Sequence, residues 1–164
     1  MDVNTTLKKP DKSNSKEIFK IIKESKTLDL NSEYLYLLLS THFKDSCSLA
    51  FIEGELASLV LAYYLPNETK TLFIWQIATK EKFRGKNLTL KILEDIVSRK
   101  EINKLITTVS PDNIASRKIF EKFAKNNNSE IKKSILFSKD DFINSHEDEV
   151  LFTINLKGEK NENI

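Results

Sequence analysis

LFIWQIATKEKFRGKNL, residues Leu72 to Leu88, runs an apolar segment directly into a basic, glycine-containing turn and then into residues that favour a helix. Phe73, Ile74, Trp75, Ile77 and Ala78 suit a buried strand. Arg84, Gly85 and Lys86 turn the chain, and a helix is predicted from Leu88 to Arg99. Backbone N–H groups in the turn and in the first helical turn lack partners within the helix, so they face whatever sits above the strand end. A phosphate group satisfies them, which makes the segment a candidate pyrophosphate cradle. A plain strand-to-helix connection with a solvated basic turn is the competing reading, and an isolated Arg-Gly-Lys favours it. The flanking sequence has to decide.

Outward from this stretch the elements alternate. Helices are predicted from Ser15 to Lys26 and from Ser32 to Phe43, the second capped by Ser32. Strands follow from Ser48 to Glu53 and from Leu56 to Leu65, joined by Glu53-Gly54-Glu55, whose glycine permits a tight hairpin turn. Leu65-Pro66-Asn67 ends that hairpin. A core strand from Thr71 to Thr79, the helix already described, a strand from Lys104 to Val109 and a helix from Asn113 to Ala124 make a β-α-β-α series, which favours parallel strands. Two last strands are expected near Ile131 to Phe137 and Val150 to Leu156, with an acidic loop between them. The ends, 1–12 and 157–164, read as disordered. The sequence therefore predicts one α/β (α+β) domain over residues 1–164.

Composition narrows the function classes. The chain of 164 residues carries a net charge of only +2, with Lys and acidic residues interspersed, which offers no electrostatic support for binding nucleic acid or anionic membranes. Its single cysteine, Cys47, excludes an intrachain disulfide and a thiolate metal cluster. At the start of an apolar strand, Cys47 reads as a buried, inert thiol rather than an acyl carrier. The first residues lack the apolar centre of a secretion signal and no run is long enough to cross a bilayer, so a cytoplasmic location is expected.

The segment Lys82-Phe83-Arg84-Gly85-Lys86-Asn87 resembles the acetyl-coenzyme A loop of the GCN5-related N-acetyltransferases (GNAT), whose pattern is Gln or Arg, two residues, Gly, one residue, then Gly or Ala. It departs from that pattern at Lys82 and at Asn87, although Asn tolerates a left-handed backbone better than most residues. Four further segments, LDLNSEYLYLLLSTHF, LFIWQIA with FRGKNL, TTVSPDNIASRKIF and HEDEVLFTI, occur in the order found in the diaminobutyrate acetyltransferases of ectoine biosynthesis. They span Leu28 to Ile154. The resemblance implies the GNAT fold, a central mixed and largely antiparallel sheet with a β-α-β-α acetyl-coenzyme A-binding core and flanking helices. It also implies acetyl-coenzyme A as cosubstrate with no metal, a small diamine acceptor, and a homodimer.

The resemblance further implies which residues do the work. The cofactor would be held by Trp75, Ile77, Ala78 and Thr79 on the core strand, by Arg84, Gly85, Lys86, Asn87 and Leu88 in the cradle, and by Asn113 and Ser116 at the later helix. For Asn113 the alternative is a helix cap, because Ser110-Pro111-Asp112-Asn113 reads equally as a turn before a helix. Asp29, Tyr34, Trp75, Thr107, His146 and Glu149 match the substrate site of the diaminobutyrate branch. Only a neutral amine attacks a thioester, while a primary ammonium titrates near ~10.4 and the departing thiol near ~8.5, so proton transfer is required. A positioned acid or base contributes roughly 10²–10⁴ in rate. Asp29 and Glu149 would pair with ammonium groups, Trp75 would offer an aromatic face, His146 would relay a proton, and Tyr34 would protonate the thiolate. Each has a bland alternative: a turn for Asp29, core packing for Tyr34 and Trp75, a solvated loop for His146.

Two features depart from the family. Helix periodicity puts Tyr34 and Tyr36 on different faces, so Tyr34 is chosen by resemblance. The late-helix tyrosine common in the superfamily is replaced by Phe120 within Arg117-Lys118-Ile119-Phe120. The more serious departure is Ile106, which stands before Thr107 and Thr108 where the diaminobutyrate branch carries a glutamate. A different small amine, or a non-catalytic acyl-coenzyme A-binding module, is the alternative function.

Overall fold

Residues 4–156 are described by the computed structural model. Among them four α-helices and seven strands follow one another, and hydrogen bonding orders the strands β1-β2-β3-β4-β5-β7-β6 in chain numbering. The fold is the mixed α+β sheet that the sequence predicts. Residue contacts group the chain into two units, Met1–Tyr63 with Trp75–Lys100 and Tyr64–Ile74 with Glu101–Ile164, each described in turn.

In the first unit, β1 (Thr5–Lys8) pairs antiparallel with β2 (Ser48–Ile52), placing Thr5 opposite Ile52 and Lys8 opposite Leu49. Thr5–Lys8, inside the segment 1–12 expected to be disordered, is thus a strand. Four residues of mixed polarity carry too little periodicity to announce a strand, and the pairing exists because β2 has an edge to fill. The other expected disordered end, 157–164, lies outside the described residues.

Helix α1 (Ser15–Ser25) buries Ile18, Ile21 and Ile22 and stops at Lys26, whose φ of 58° lies in the left-handed region. Helix α2 (Glu33–Thr41) begins where Ser32 accepts a hydrogen bond from the Leu35 amide at 3.2 Å, the expected cap. Glu53 and Gly54 both take positive φ, 49° and 83°, so the turn between β2 and β3 (Glu55–Leu65) has the mirror-image geometry that suits the right-handed twist of a hairpin. Strand β4 (Glu68–Thr79) starts three residues before the predicted Thr71, because β3 and β4 form a hairpin around Pro66 and Asn67 that extends the ladder. Its residues from Trp75 onward belong to this unit, as does α3 (Leu88–Ser98). The core gathers Ile18, Ile22, Tyr36, Leu49, Leu59 and Leu61. Cys47 is fully buried, and burial pushes its thiol up to about 11, in keeping with the inert reading.

In the second unit, the first part of β4 pairs in parallel with β5 (Lys104–Val109), from Thr71 opposite Lys104 to Ile74 opposite Thr107. Helix α4 (Ile114–Asn126) follows, starting one residue later and ending two residues later than predicted. Strand β6 (Ile131–Phe137) takes the edge position, and β7 (Glu149–Asn155) returns between β5 and β6, antiparallel to both. The β-α-β-α pattern thus signals one parallel pair, β4 with β5. Beyond α4 the chain reverses through a loop instead of another crossover helix, and that connection makes the neighbouring pairs antiparallel.

Candidate active site

The predicted cradle bends sharply between β4 and α3. A single-turn 3-10 helix, Glu81–Phe83, ends β4, and Gly85 then takes φ 82° and Asn87 φ 56°, ψ 29° immediately before α3. Asn87 occupies the left-handed conformation that Asn tolerates and that the family's small residue would otherwise supply. A Cβ added at Gly85 would meet nothing within 4 Å, so glycine is needed there for its φ and not for space. Arg84, Gly85, Lys86 and Asn87 are exposed, and the first amides of α3 have no partner within the helix. The position holding Lys82 behaves differently. Its Nζ lies 2.7 and 2.8 Å from the two Glu55 carboxylate oxygens, and Lys80 Nζ lies 3.3 Å from the same group. The Lys82 ammonium, with Lys80, holds the Glu55 carboxyl below its usual range. Lys82 therefore fastens the start of the cradle to the β2–β3 turn.

Upstream on the same strand, Ile77, Ala78 and Thr79 are partly buried. Ser58 Oγ donates to Ala78 O at 3.0 Å and lies 2.8 Å from Thr79 Oγ1. Trp75 packs against the core and stacks on Tyr36, ring centroids 6.4 Å apart and planes 28° apart. Phe19 meets Tyr36 edge-to-face, ring centroids 6.0 Å apart. The predicted pair of faces on α2 is real, with Tyr34 69% exposed and Tyr36 fully buried. Tyr34 is thus a solvent-facing phenol and not a core aromatic. The Tyr36 hydroxyl donates to Gln76 Oε1 at 3.1 Å and accepts from the Asn31 amide at 3.3 Å, while Gln76 Nε2 donates to Asp29 O at 2.8 Å. Asp29 sits in the segment between α1 and α2 with its backbone tied down.

The second unit holds the remaining residues. Ile106 is 8% exposed at the centre of β5, opposite Phe73 on β4 and Thr153 on β7. Thr107, an expected substrate contact, is buried and donates its hydroxyl to Ile74 O at 3.0 Å, at the last pair of the parallel ladder. Asn113 caps α4 by accepting from the Ser116 amide at 3.1 Å, which is the alternative role raised for it and engages both residues assigned to the cofactor. Phe120, in place of the superfamily's tyrosine, is buried. His146 and Glu149 come together, Nε2 to Oε1 3.6 Å. His146 Nδ1 contacts Glu147 O, while its Nε2 faces the Glu149 carboxylate. The imidazole lies flat on Phe142, centroids 3.8 Å and planes 7° apart. The acidic loop is a folded clasp: Ser138 and Asp141 cap one another, and the Lys139 amide donates to Asp148 at 2.7 Å.

Sequence reasoning missed Tyr36, Gln76 and Phe142. Gln76 left a signal, since it is the one polar residue inside Phe73–Ala78, and a buried amide requires partners. Phe142 left none, because a single aromatic in an acidic loop has no periodicity. Among the described residues, no group of three or more His, Cys, Asp and Glu side chains is placed to hold a metal ion, and no helix is long and apolar enough to cross a membrane.

Comparison with known proteins places these features. Residues 15–124 match the acetyltransferase (GNAT) family. The chain is 36% identical over 153 residues to the L-2,4-diaminobutyric acid acetyltransferase of Methylotuvimicrobium alcaliphilum, covering 91% of this chain and 89% of that one. It is 36% identical to the protein of the same name from Halomonas elongata, over 90% of this chain and 79% of the relative. Among solved structures, the diaminobutyrate acetyltransferase EctA of Paenibacillus lautus, in complex with L-2,4-diaminobutyric acid and coenzyme A, superposes with a TM-score of 0.88 at 29% identity. The match covers 94% of this chain and 96% of that structure.

Proposed function

Because the chain belongs to the acetyltransferase (GNAT) family, we propose that it moves the acetyl group of acetyl-coenzyme A to the γ-amine of L-2,4-diaminobutyrate, forming N4-acetyl-L-2,4-diaminobutyrate, the precursor of ectoine. The observation that carries this reading is the similarity to diaminobutyrate acetyltransferases along nearly the whole chain. The cradle backbone at Gly85 and Asn87 supports the cosubstrate.

The reaction is a direct attack. The neutral amine nitrogen bonds to the thioester carbonyl carbon, the tetrahedral oxyanion collapses, the C–S bond breaks, and sulfur leaves with its electron pair and takes up a proton. Arg84, Gly85, Lys86, Asn87 and Leu88 bind pyrophosphate through backbone N–H groups and charge, and main-chain groups of Trp75, Ile77, Ala78 and Thr79 bind the pantetheine arm. Asn113 and Ser116 complete the cofactor set. Asp29 and Glu149 take the ammonium groups, with Trp75 and Thr107 lining the acceptor. His146, beside the Glu149 carboxylate, relays the amine proton. Tyr34, exposed and able to reach a solvent-side ligand, protonates the departing thiolate. The whole chain acts as one acetyltransferase domain in the cytoplasm and forms a homodimer. Exposed apolar residues on and beside the edge strand β6, Ile135, Leu136, Phe137 and Ile143, support a partner there.

Mass spectrometry after incubation with acetyl-coenzyme A and L-2,4-diaminobutyrate, beside a panel of other diamines, tests the assignment. Preferential N4-acetyl-diaminobutyrate is the expected product. Ile106 favours a second reading, another small amine as acceptor, because it leaves β5 without the branch's carboxylate. Comparable turnover of several diamines would select that reading.

A further inference from the structure

We propose that Tyr36 and Gln76 are positioning residues for the acceptor, holding the segment that carries Asp29 in a fixed place. This proposal rests on the acceptor role assigned to Asp29 and Trp75. Both side chains are buried, Tyr36 fully and Gln76 at 4% exposure, and their bonds are directed at one short stretch. Gln76 Nε2 donates to the carbonyl oxygen of Asp29, and the Asn31 amide donates to the Tyr36 hydroxyl. A third bond, from the Tyr36 hydroxyl to Gln76 Oε1, joins the two anchors.

The stretch from Leu28 to Ser32 has no helix or strand of its own to order it. Leu28 N–H donates to Ser25 Oγ at 3.3 Å and Asn31 Nδ2 donates locally to Asp29 O at 3.3 Å, while the two bonds to buried side chains elsewhere in the fold, from Gln76 to Asp29 O and from the Asn31 amide to Tyr36, hold the stretch on either side of Leu30. The Tyr36 ring also stacks on Trp75, so one buried side chain is coupled both to the backbone of a carboxylate bearer and to an aromatic wall. Asp29 would bind an ammonium only if its backbone is held in register with that wall. An untethered loop would bear the ordering cost at every binding event. Fixing it beforehand lowers the KM for the acceptor and leaves the cosubstrate cradle unaffected.

Two substitutions separate the bonds. Tyr36→Phe keeps the ring and its stack and removes the hydroxyl, releasing the Asn31 amide. Gln76→Glu keeps an acceptor for the Tyr36 hydroxyl and replaces the donor to Asp29 O with an oxygen. Amide hydrogen exchange, read without substrate, should speed up over 28–32 in both variants while α1 and β2 are unchanged. The KM for L-2,4-diaminobutyrate should rise about tenfold with kcat within about twofold, the size expected when a buried hydrogen bond is lost. Coenzyme A affinity, measured by calorimetry, should not move. Unchanged exchange over 28–32 in the Tyr36→Phe variant would overturn the tether, and so would faster exchange with an unchanged acceptor KM. If the unaltered chain does not acetylate diaminobutyrate, the acceptor assignment fails, whereas the exchange arm still decides the tether. Gln76→Glu could unfold the chain, and Tyr36→Phe, which deletes one oxygen, keeps the test decisive.

Discussion

Ile106→Glu restores a carboxylate at the centre of β5 and sets two effects against each other. Ile106 is 8% exposed between Phe73 and Thr153, so the substitution gives up most of an isoleucine's burial, about 1.5–3 kcal/mol, part of which the glutamate methylenes retain. A carboxyl in that position protonates in preference to remaining charged and unpaired, and the combined loss is on the order of 2–4 kcal/mol. For a chain of this size that corresponds to a Tm lower by about 5–15 °C. The sign with pH follows from burial, which raises the new carboxyl above its unfolded value of about 4.3. Such a group adds no ionisation penalty while both states are protonated, and that penalty grows as pH rises toward the folded value. The Tm deficit should therefore be larger at about pH 8 than at about pH 5. An ammonium bound beside the carboxylate reverses the penalty, so L-2,4-diaminobutyrate should stabilise the variant more than the unaltered chain, and its turnover should rise. Differential scanning fluorimetry across that pH range, with and without the diamine, and product quantification read all three effects. A deficit that shrinks with rising pH would refute the buried-carboxyl reasoning. Equal diamine stabilisation of both proteins with lower turnover would remove Ile106 from the acceptor site.

Arg84→Glu reverses a charge beside Gly85 and should weaken coenzyme A binding by about tenfold or more in calorimetry, more at low salt than at high salt. Trp75→Ala should raise the acceptor KM more than the coenzyme A Kd, and the steady-state parameters for each substrate separate the two. Cys47, with its thiol raised to about 11, should resist a maleimide in the folded chain and react once denaturant opens the core. Its unfolded thiol ionises first, near 9.0, so folding stability should fall by up to about 1.4 kcal/mol per pH unit between those values. Cys47→Ala should remove that component of the slope in urea titrations.

The strands and helices of the core were legible because their evidence is local. The apolar run Phe73–Ala78, the Ser32 cap and the Glu53-Gly54 turn each state their geometry within a few residues, and the structure follows them to within a residue or three at each end. The left-handed backbone at Asn87 belongs to the same class, since it depends on what a residue type tolerates. Candidate site residues came from resemblance, and periodicity added only that Tyr34 and Tyr36 face apart.

What the chain by itself determined is which segments are helix, strand or turn, because propensity, capping and periodicity act between near neighbours. Tertiary structure decided the rest: that Thr5–Lys8 becomes a strand, that β7 enters beside β5, that Lys82 bonds Glu55, and that Tyr36 and Gln76 secure the Asp29 backbone. The Tyr36 and Gln76 side chains are 40 positions apart and the Gln76 and Asp29 partners 47 apart. No local rule pairs residues across such separations. Burial does, because a polar group taken from water must find its partner wherever the fold brings one.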